Sequence, residues 1–256
     1  MERENILVQT NDHICTLTID HPPANAWNLQ TLEEFEAALC EAEDDRNVRV
    51  VIITGAGEKC FSAGFDVRDA ANAATTGPKG QELWKRVDRF RKPVIAAING
   101  VALGGGCELA LASHFRIMSS GPKAKMGLTE LNLGIIPAWG GTQRMTRLVG
   151  RARALDLILF SRKVDAREAL EVGLVDAVSS PGQLMNDAIE LAGRLAQRPP
   201  LAVECVLGAI AAGMYEGIDR GLGVEEESSR ILGQTKDARE GFIAFLEKRQ
   251  PEFKGE

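Results

Sequence analysis

Two hydrophobic periods take turns along the chain. From Ile14 to Ile19 apolar and polar residues alternate, with Cys15, Leu17 and Ile19 on one face, as in a half-buried strand. Pro22-Pro23 breaks the pattern. Leu32, Phe35, Leu39 and Ala42 then recur at three- and four-residue steps, the spacing of a helix face. Thr31 followed by Glu34 predicts a capping box at the start of this helix. Val48 to Ile53 is a continuous apolar run closed by Gly55 and Gly57, which reads as a buried strand. A helix over Gln81 to Phe90 follows, then an apolar strand over 93–98 that stops at Asn99-Gly100. Another helix opens within the glycines at 104–106 and runs to about Ser113, and Phe115 to Met118 reads as the next strand. This alternation predicts an α/β fold of β-α units with parallel strands and right-handed connections.

Beyond about Gly182 the spacing is almost all helical, over Leu184 to Gln197, Ala202 to Ala212, Val224 to Leu232 and Arg239 to Lys248. Pro199-Pro200 marks the expected boundary. The helical tail is too small to hold a core of its own, so it is expected to pack on the first domain or on another subunit.

Composition narrows the picture. The 256 residues are 45% apolar and 26% charged, enough for one large domain whose core needs no disulfide or metal staples. The net charge of -6 and pI near 5.3 argue against broad nucleic-acid binding, though not against a local basic pocket for a phosphate-bearing small molecule. The opening Met1-Glu2-Arg3-Glu4-Asn5 resembles neither a signal nor a transit peptide. The longest stretch without a formal charge, Pro93 to Cys107, is too short and too Gly-rich to span a membrane. Five cysteines without a C-x-x-C pair point to a reducing, cytoplasmic setting rather than a disulfide framework or a zinc ribbon. His13, His21 and His114 form no H-E-x-x-H, so no metal site is expected.

The most informative feature is where charge is missing. Glu108 is the only formally charged residue between Lys92 and Arg116, and Glu130 the only one between Lys125 and Arg144. A carboxylate buried in such apolar, Gly-rich surroundings is costly unless hydrogen-bonded, and desolvation raises its pKa toward neutrality, as acid-base catalysis near pH 7 requires. Each acid alone also fits a structural role, Glu108 at a helix start and Glu130 capping the turn at Thr129.

Gly104-Gly105-Gly106 lies at a strand-to-helix turn, where backbone N–H groups meet a ligand at the positive helix end. A dinucleotide fits poorly, because Leu109 stands where the fingerprint needs Gly or Ala, and no G-K-[ST] follows. An oxyanion fits better, and a Gly turn that only packs tightly is the remaining alternative. The loop Cys60–Asp66, containing Gly64, is placed to supply a second N–H. Arg144, Arg147, Arg151 and Arg153 read as solvated helix faces and salt bridges, and Cys107 as a small buried residue. There is no G-x-S-x-G elbow.

Lys92–Ala110 (KPVIAAINGVALGGGCELA) resembles the signature of the crotonase, or enoyl-CoA hydratase/isomerase, superfamily. The resemblance extends through Phe61–Asp66, Gly127–Pro137, Gly140–Arg144, Ala169–Val175 and Ala244–Arg249, essentially the whole chain. It implies a spiral of β-β-α units over residues 1–198 and a C-terminal helical oligomerisation region over 199–256 that builds trimers or dimers of trimers. It implies acyl-CoA thioester substrates, with coenzyme A as part of the substrate and no metal or other cofactor.

Carried over residue by residue, the oxyanion-hole N–H groups fall on Phe65 and Gly105, and the two catalytic glutamates on Glu108 (water activation) and Glu130 (proton transfer at Cα). Substrate and CoA contacts fall on Ala24, Ala26, Phe65, Asp66, Val67, Arg68, Gly104 and Trp139. Phe245 and Lys248 approach the nucleotide, often from a neighbouring subunit.

Four departures from the pattern bear on acyl specificity: an apparent loop insertion at Ser119–Pro122, His114 in place of Asp, and the bulky Phe65 and Trp139. Ala138 falls where a dehalogenase-type Asp would stand. Retention of both acids favours an enoyl-CoA hydratase over an isomerase or another reaction on the same enolate. A non-catalytic acyl-CoA-binding protein is the alternative of another class.

Overall fold

A computed structural model describes residues 3–256. Met1 and Glu2, part of the charged opening stretch, lie outside the described residues.

Among the described residues nine strands form two sheets. The large sheet has the order β1-β2-β3-β5-β7-β9, from Ile6–Asn11, Ile14–Ile19, Val50–Gly55, Val94–Ile98, Phe115–Ser119 and Ala177–Ser179. Only β1 runs antiparallel to its neighbour, and every other pairing is parallel. The small sheet, β4-β6-β8, is built from Cys60–Ser62, Val101–Leu103 and Lys125–Gly127, also in parallel. The pairs β3-β4, β5-β6 and β7-β8 each give one strand to the large sheet and one to the small. Helices α1 (Leu29–Asp44), α2 (Ala73–Asp88) and α3 (Gly105–Ala112) follow β2, β4 and β6. This is the β-β-α spiral that the resemblance implies.

The core follows from the patterns. Val50–Gly55 is buried at every position, as a central parallel strand must be, and Ala38, Leu39 and Ala42 of α1 pack inward. Helices α4 (Gly141–Val149), α5 (Arg151–Leu159) and α6 (Ala166–Glu171) close the core before β9, and α7 (Leu184–Ala196) covers the outer face of the large sheet. Helices α8 (Pro200–Glu216) and α9 (Ile218–Leu232) form a hairpin, and α10 (Lys236–Glu247) precedes the tail. The tail is latched by Asp237, which accepts from the N–H groups of Lys254 and Gly255 at 2.8 Å each. Arg49 grips it from the sheet side, donating to the Phe253 carbonyl at 2.9 Å.

Several expectations are corrected. The cap of α1 is Asn28, whose side chain accepts from the Thr31 N–H at 2.8 Å. Glu34 turns away to accept from the N–H groups of Glu4 and Asn5 instead. Helix α2 begins eight residues before Gln81, running through Gly77-Pro78 and Gly80. Helix α9 begins at Ile218 rather than Val224, and Val48 lies outside β3. Strand β1, with Ile6 alone buried, follows no period in the sequence. Arg144 is no solvated side chain: it is largely buried in a pair with Asp88 at 2.8 Å.

Candidate active site

The three glycines at 104–106 are required for three separate reasons. Gly104 takes φ +51° at the end of β6, a conformation most residues with a side chain avoid. A Cβ on Gly105 would stand 2.5 Å from Cε3 of Trp139, and one on Gly106 would stand 2.7 Å from the Ser62 side chain. Helix α3 therefore starts pressed against both the Cys60–Asp66 loop and the Trp139 ring. Gly64, at φ +91°, comes so close that a Cβ on it would lie 2.8 Å from the Gly105 nitrogen.

Phe65 forms a parallel bridge with Trp27. The flanking bonds run from Trp27 N–H to the Gly64 carbonyl (2.8 Å) and from Asp66 N–H to the Trp27 carbonyl (2.9 Å). In a parallel bridge of this kind the amide of Phe65 itself points to the opposite side. Gly105 opens α3, so its N–H has no intrahelical acceptor. Among the described residues neither of these two amides donates to a protein acceptor.

Glu108 sits in the first turn of α3 and is only 2% exposed. Its Oε1 accepts from the N–H of Trp139 and the N–H of Gly141, both at 2.8 Å. Burial raises its pKa to about 7; the charge of Glu130 pushes the same way, against those two amides and Arg144. Glu130 opens a 3-10 turn after β8. Its carboxylate reaches Gly104, where a Cβ would lie 3.1 Å from Glu130 Oε1. Its pKa is also pushed up by burial. Its Oε2 is buried and has no hydrogen-bond partner. A buried carboxylate oxygen without a donor is costly unless it carries a proton or meets a ligand. The structure thus brings two desolvated acids to the start of α3, near two amides that face no protein acceptor.

The other candidates divide. Ala24, Ala26 and Trp27 run alongside the 63–66 loop, with Ala63 N–H donating to the Ala24 carbonyl at 3.0 Å. Ala26 is buried, and its carbonyl is bonded by His21 Nδ1 at 2.6 Å. Asp66 caps the 3-10 turn that follows and pairs with Arg68 at 2.7 Å, an interaction that lowers the Asp66 pKa. Val67 and Arg68 are exposed. Phe245 and Lys248 near the end of α10 are exposed, Phe245 at 81%, so this chain does not pack them against its own acids.

Sequence reasoning missed the amides of Trp139 and Gly141, the Arg144–Asp88 pair, and Trp84, whose Nε1 donates to the Gly105 carbonyl at 2.9 Å. The pair Gly140-Gly141 at a helix start was the signal for the first of these. Cys107 is fully buried as expected. A cleft of about 910 Å3 lies elsewhere, lined by Pro22, Lys59, Asn99 and Lys123, and contains neither acid. Among the described residues no group of three or more His, Cys, Asp or Glu could hold a metal ion, and no helix is long and apolar enough to cross a membrane.

A β-β-α spiral bearing this site defines a crotonase-type protein. The enoyl-CoA hydratase/isomerase family model matches residues 9–256, and the chain belongs to that family. It is 42% identical to a short-chain-enoyl-CoA hydratase of Clostridium acetobutylicum, covering 98% of each chain. It is 41% identical to a crotonyl-CoA hydratase of Syntrophomonas wolfei, covering 99% of each. The crystal structure of an enoyl-CoA hydratase from Bacillus anthracis superposes with a TM-score of 0.94 at 41% identity, covering 99% of this chain and 100% of that one.

Proposed function

We propose that this protein hydrates 2-enoyl-CoA thioesters reversibly to 3-hydroxyacyl-CoA. The observation that carries the reading is the pair Glu108 and Glu130, both desolvated, beside the free amides of Phe65 and Gly105. In this reading the thioester oxygen accepts from the two amides. Glu108 takes one proton from a water whose oxygen bonds to Cβ, and the displaced π electrons become an enolate on the thioester oxygen. Glu130 then delivers a proton to Cα and the carbonyl re-forms. One water is added, and a proton has moved from one acid to the other. Donors aimed at such an oxygen are worth roughly 100- to 1000-fold in rate each.

Ala24, Ala26 and Phe65–Arg68 would hold the CoA arm, and Gly104 and Trp139 would line the acyl end. Coenzyme A arrives as part of the substrate, and the chemistry needs no metal or redox group. Residues 199–256 would build a homotrimer, or a dimer of trimers, bringing Phe245 and Lys248 to a neighbour's nucleotide. The exposed apolar side chains Val206, Ile210 and Met214 on α8 and Phe242, Phe245 and Leu246 on α10 support that reading. A cytoplasmic site of action, away from membranes and nucleic acids, fits the five free cysteines and the acidic balance.

The test is loss of enoyl-thioester absorbance with purified protein. Glu108→Gln and Glu130→Gln should each lose roughly 100-fold or more in kcat while keeping the wild-type circular dichroism. Full activity in either variant would overturn the assignment of that acid.

A further inference from the structure

We propose that the indole of Trp139 is the end wall of the acyl pocket and restricts this site to short acyl groups, of butenoyl rather than decenoyl length. The inference rests on the hydratase reading and concerns the same site.

The position of the ring is fixed from both directions. Its own backbone N–H is bonded to Glu108 Oε1 at 2.8 Å, so the side chain begins beside that acid. From there it turns inward and is only 5% exposed. It fills the gap between α2 and α3 so closely that both facing residues must lack a side chain. A Cβ on Gly80 of α2 would lie 2.6 Å from indole Cζ2, and one on Gly105 of α3 would lie 2.5 Å from Cε3. The indole meets Trp84 edge-on at 5.4 Å and 84°. Trp84 meets Trp27 at 4.9 Å and Phe35 at 5.7 Å, again edge-on. Four aromatic rings thus lock one another, and Trp84 is itself tied to the Gly105 carbonyl at 2.9 Å. Interiors packed this way do not open cheaply for a ligand.

A substrate placed by the amide of Gly105 must carry Cα and Cβ between that amide and the two acids. With Cβ held beside Glu108, carbons beyond it would continue past that acid, where the indole stands against Gly80 of α2 and Gly105 of α3. The indole occupies the gap between these helices. A smaller residue at 139 would leave it open between Gly80 and Gly105, with an apolar lining. Trp139 acts here as a specificity-determining residue through bulk alone, since every substitution except proline keeps its backbone N–H on Glu108.

The experiment measures kcat/KM for butenoyl-, hexenoyl-, octenoyl- and decenoyl-CoA with the wild type, Trp139→Phe and Trp139→Ala. The wild type should lose about tenfold or more from butenoyl to decenoyl, as expected for methylenes that find no room. The decenoyl-to-butenoyl ratio should rise about tenfold or more in Trp139→Ala, with Trp139→Phe in between. A wild type that takes decenoyl-CoA as readily as butenoyl-CoA overturns the proposal, as does an unchanged ratio in both variants.

Calorimetric binding of saturated butyryl- and decanoyl-CoA to the wild type reads the pocket without turnover or mutation. Weaker binding of the decanoyl ester supports the wall, and tighter binding refutes it. If no enoyl ester is turned over by the wild type, the hydratase reading fails, while the binding pair still decides the length limit.

Discussion

Arg144 donates through Nη1 to the carbonyl of Trp139 and through Nε to Asp88, each at 2.8 Å. One side chain thus moors the loop that grips Glu108 to the last turn of α2. The Tyr215 hydroxyl of α8 donates to the same Asp88 carboxylate. Both charges are largely buried, so breaking the pair leaves Asp88 desolvated and uncompensated. Arg144→Ala should cost roughly 3–5 kcal/mol in urea unfolding, and kcat should fall in whatever folds. Arg144→Lys keeps the charge but not the two-pronged geometry, so kcat should fall with a smaller loss of stability. Wild-type kcat in both variants would show that the mooring does not hold Glu108.

Gly64 tests the proposed oxyanion contact by crowding. A methyl placed there would lie 2.8 Å from the Gly105 nitrogen, from a residue already at φ +91°. Gly64→Ala should lose roughly 100-fold or more in kcat if the amide of Gly105 binds the thioester oxygen. The backbone cost is about 1–2 kcal/mol, and a thermal melt measures it separately.

The two acids predict a bell-shaped pH profile in the hydration direction. One carboxylate must be able to give a proton and the other to receive one, so the working pair holds a single proton. Glu108 is raised to about 7, first by burial and then by the charge of Glu130. That single proton belongs to the pair, and hydration uses the form in which Glu130 holds it and Glu108 is ionised; its loss from the pair near neutrality sets the alkaline limb of kcat/KM. The acid limb lies lower, where both groups are protonated. A profile flat from about pH 5 to 9 would contradict the shared-proton pair.

His114 gives a stability signature apart from catalysis. Its Nδ1 accepts from the Val94 N–H at 2.9 Å, and burial lowers its pKa from 6.5 to about 4. The neutral ring is the folded form, so its contribution is complete above pH 6.5 and is lost as pH falls from there toward 4. Comparing urea midpoints of the wild type and His114→Asn between those limits isolates the group. The wild type should lose stability relative to the variant by up to about 3 kcal/mol at the acid end. A difference independent of pH would contradict this placement.

Much of this was legible in the sequence, for physical reasons that also explain the misses. The central strands and α1 and α3 were readable because burial enforces their periods. Strand β1 was not, because Ile6 is its only buried residue and no alternation marks it. The small sheet has strands of three residues each, too short to show a period. The first half of α2 was hidden by Gly77, Pro78 and Gly80, and Gly80 is there to receive the Trp139 ring. Glu108 and Glu130 stood out because each is alone in an uncharged stretch. The amides that hold Glu108 are main-chain groups; Gly140-Gly141 marks the helix start that bears them, but no side-chain pattern says which carboxylate they meet.

Whether Glu108 and Glu130 add water across the double bond is read by running the reaction with butenoyl-CoA in water enriched in heavy oxygen and weighing the product by mass spectrometry. The wild type should form a 3-hydroxyacyl-CoA carrying one solvent oxygen, at a rate roughly 100-fold or more above that of Glu108→Gln or Glu130→Gln. Butenoyl-CoA recovered unchanged from the wild type, or labelled 3-hydroxyacyl-CoA formed at equal rates by all three proteins, would rule out hydration by this pair of acids.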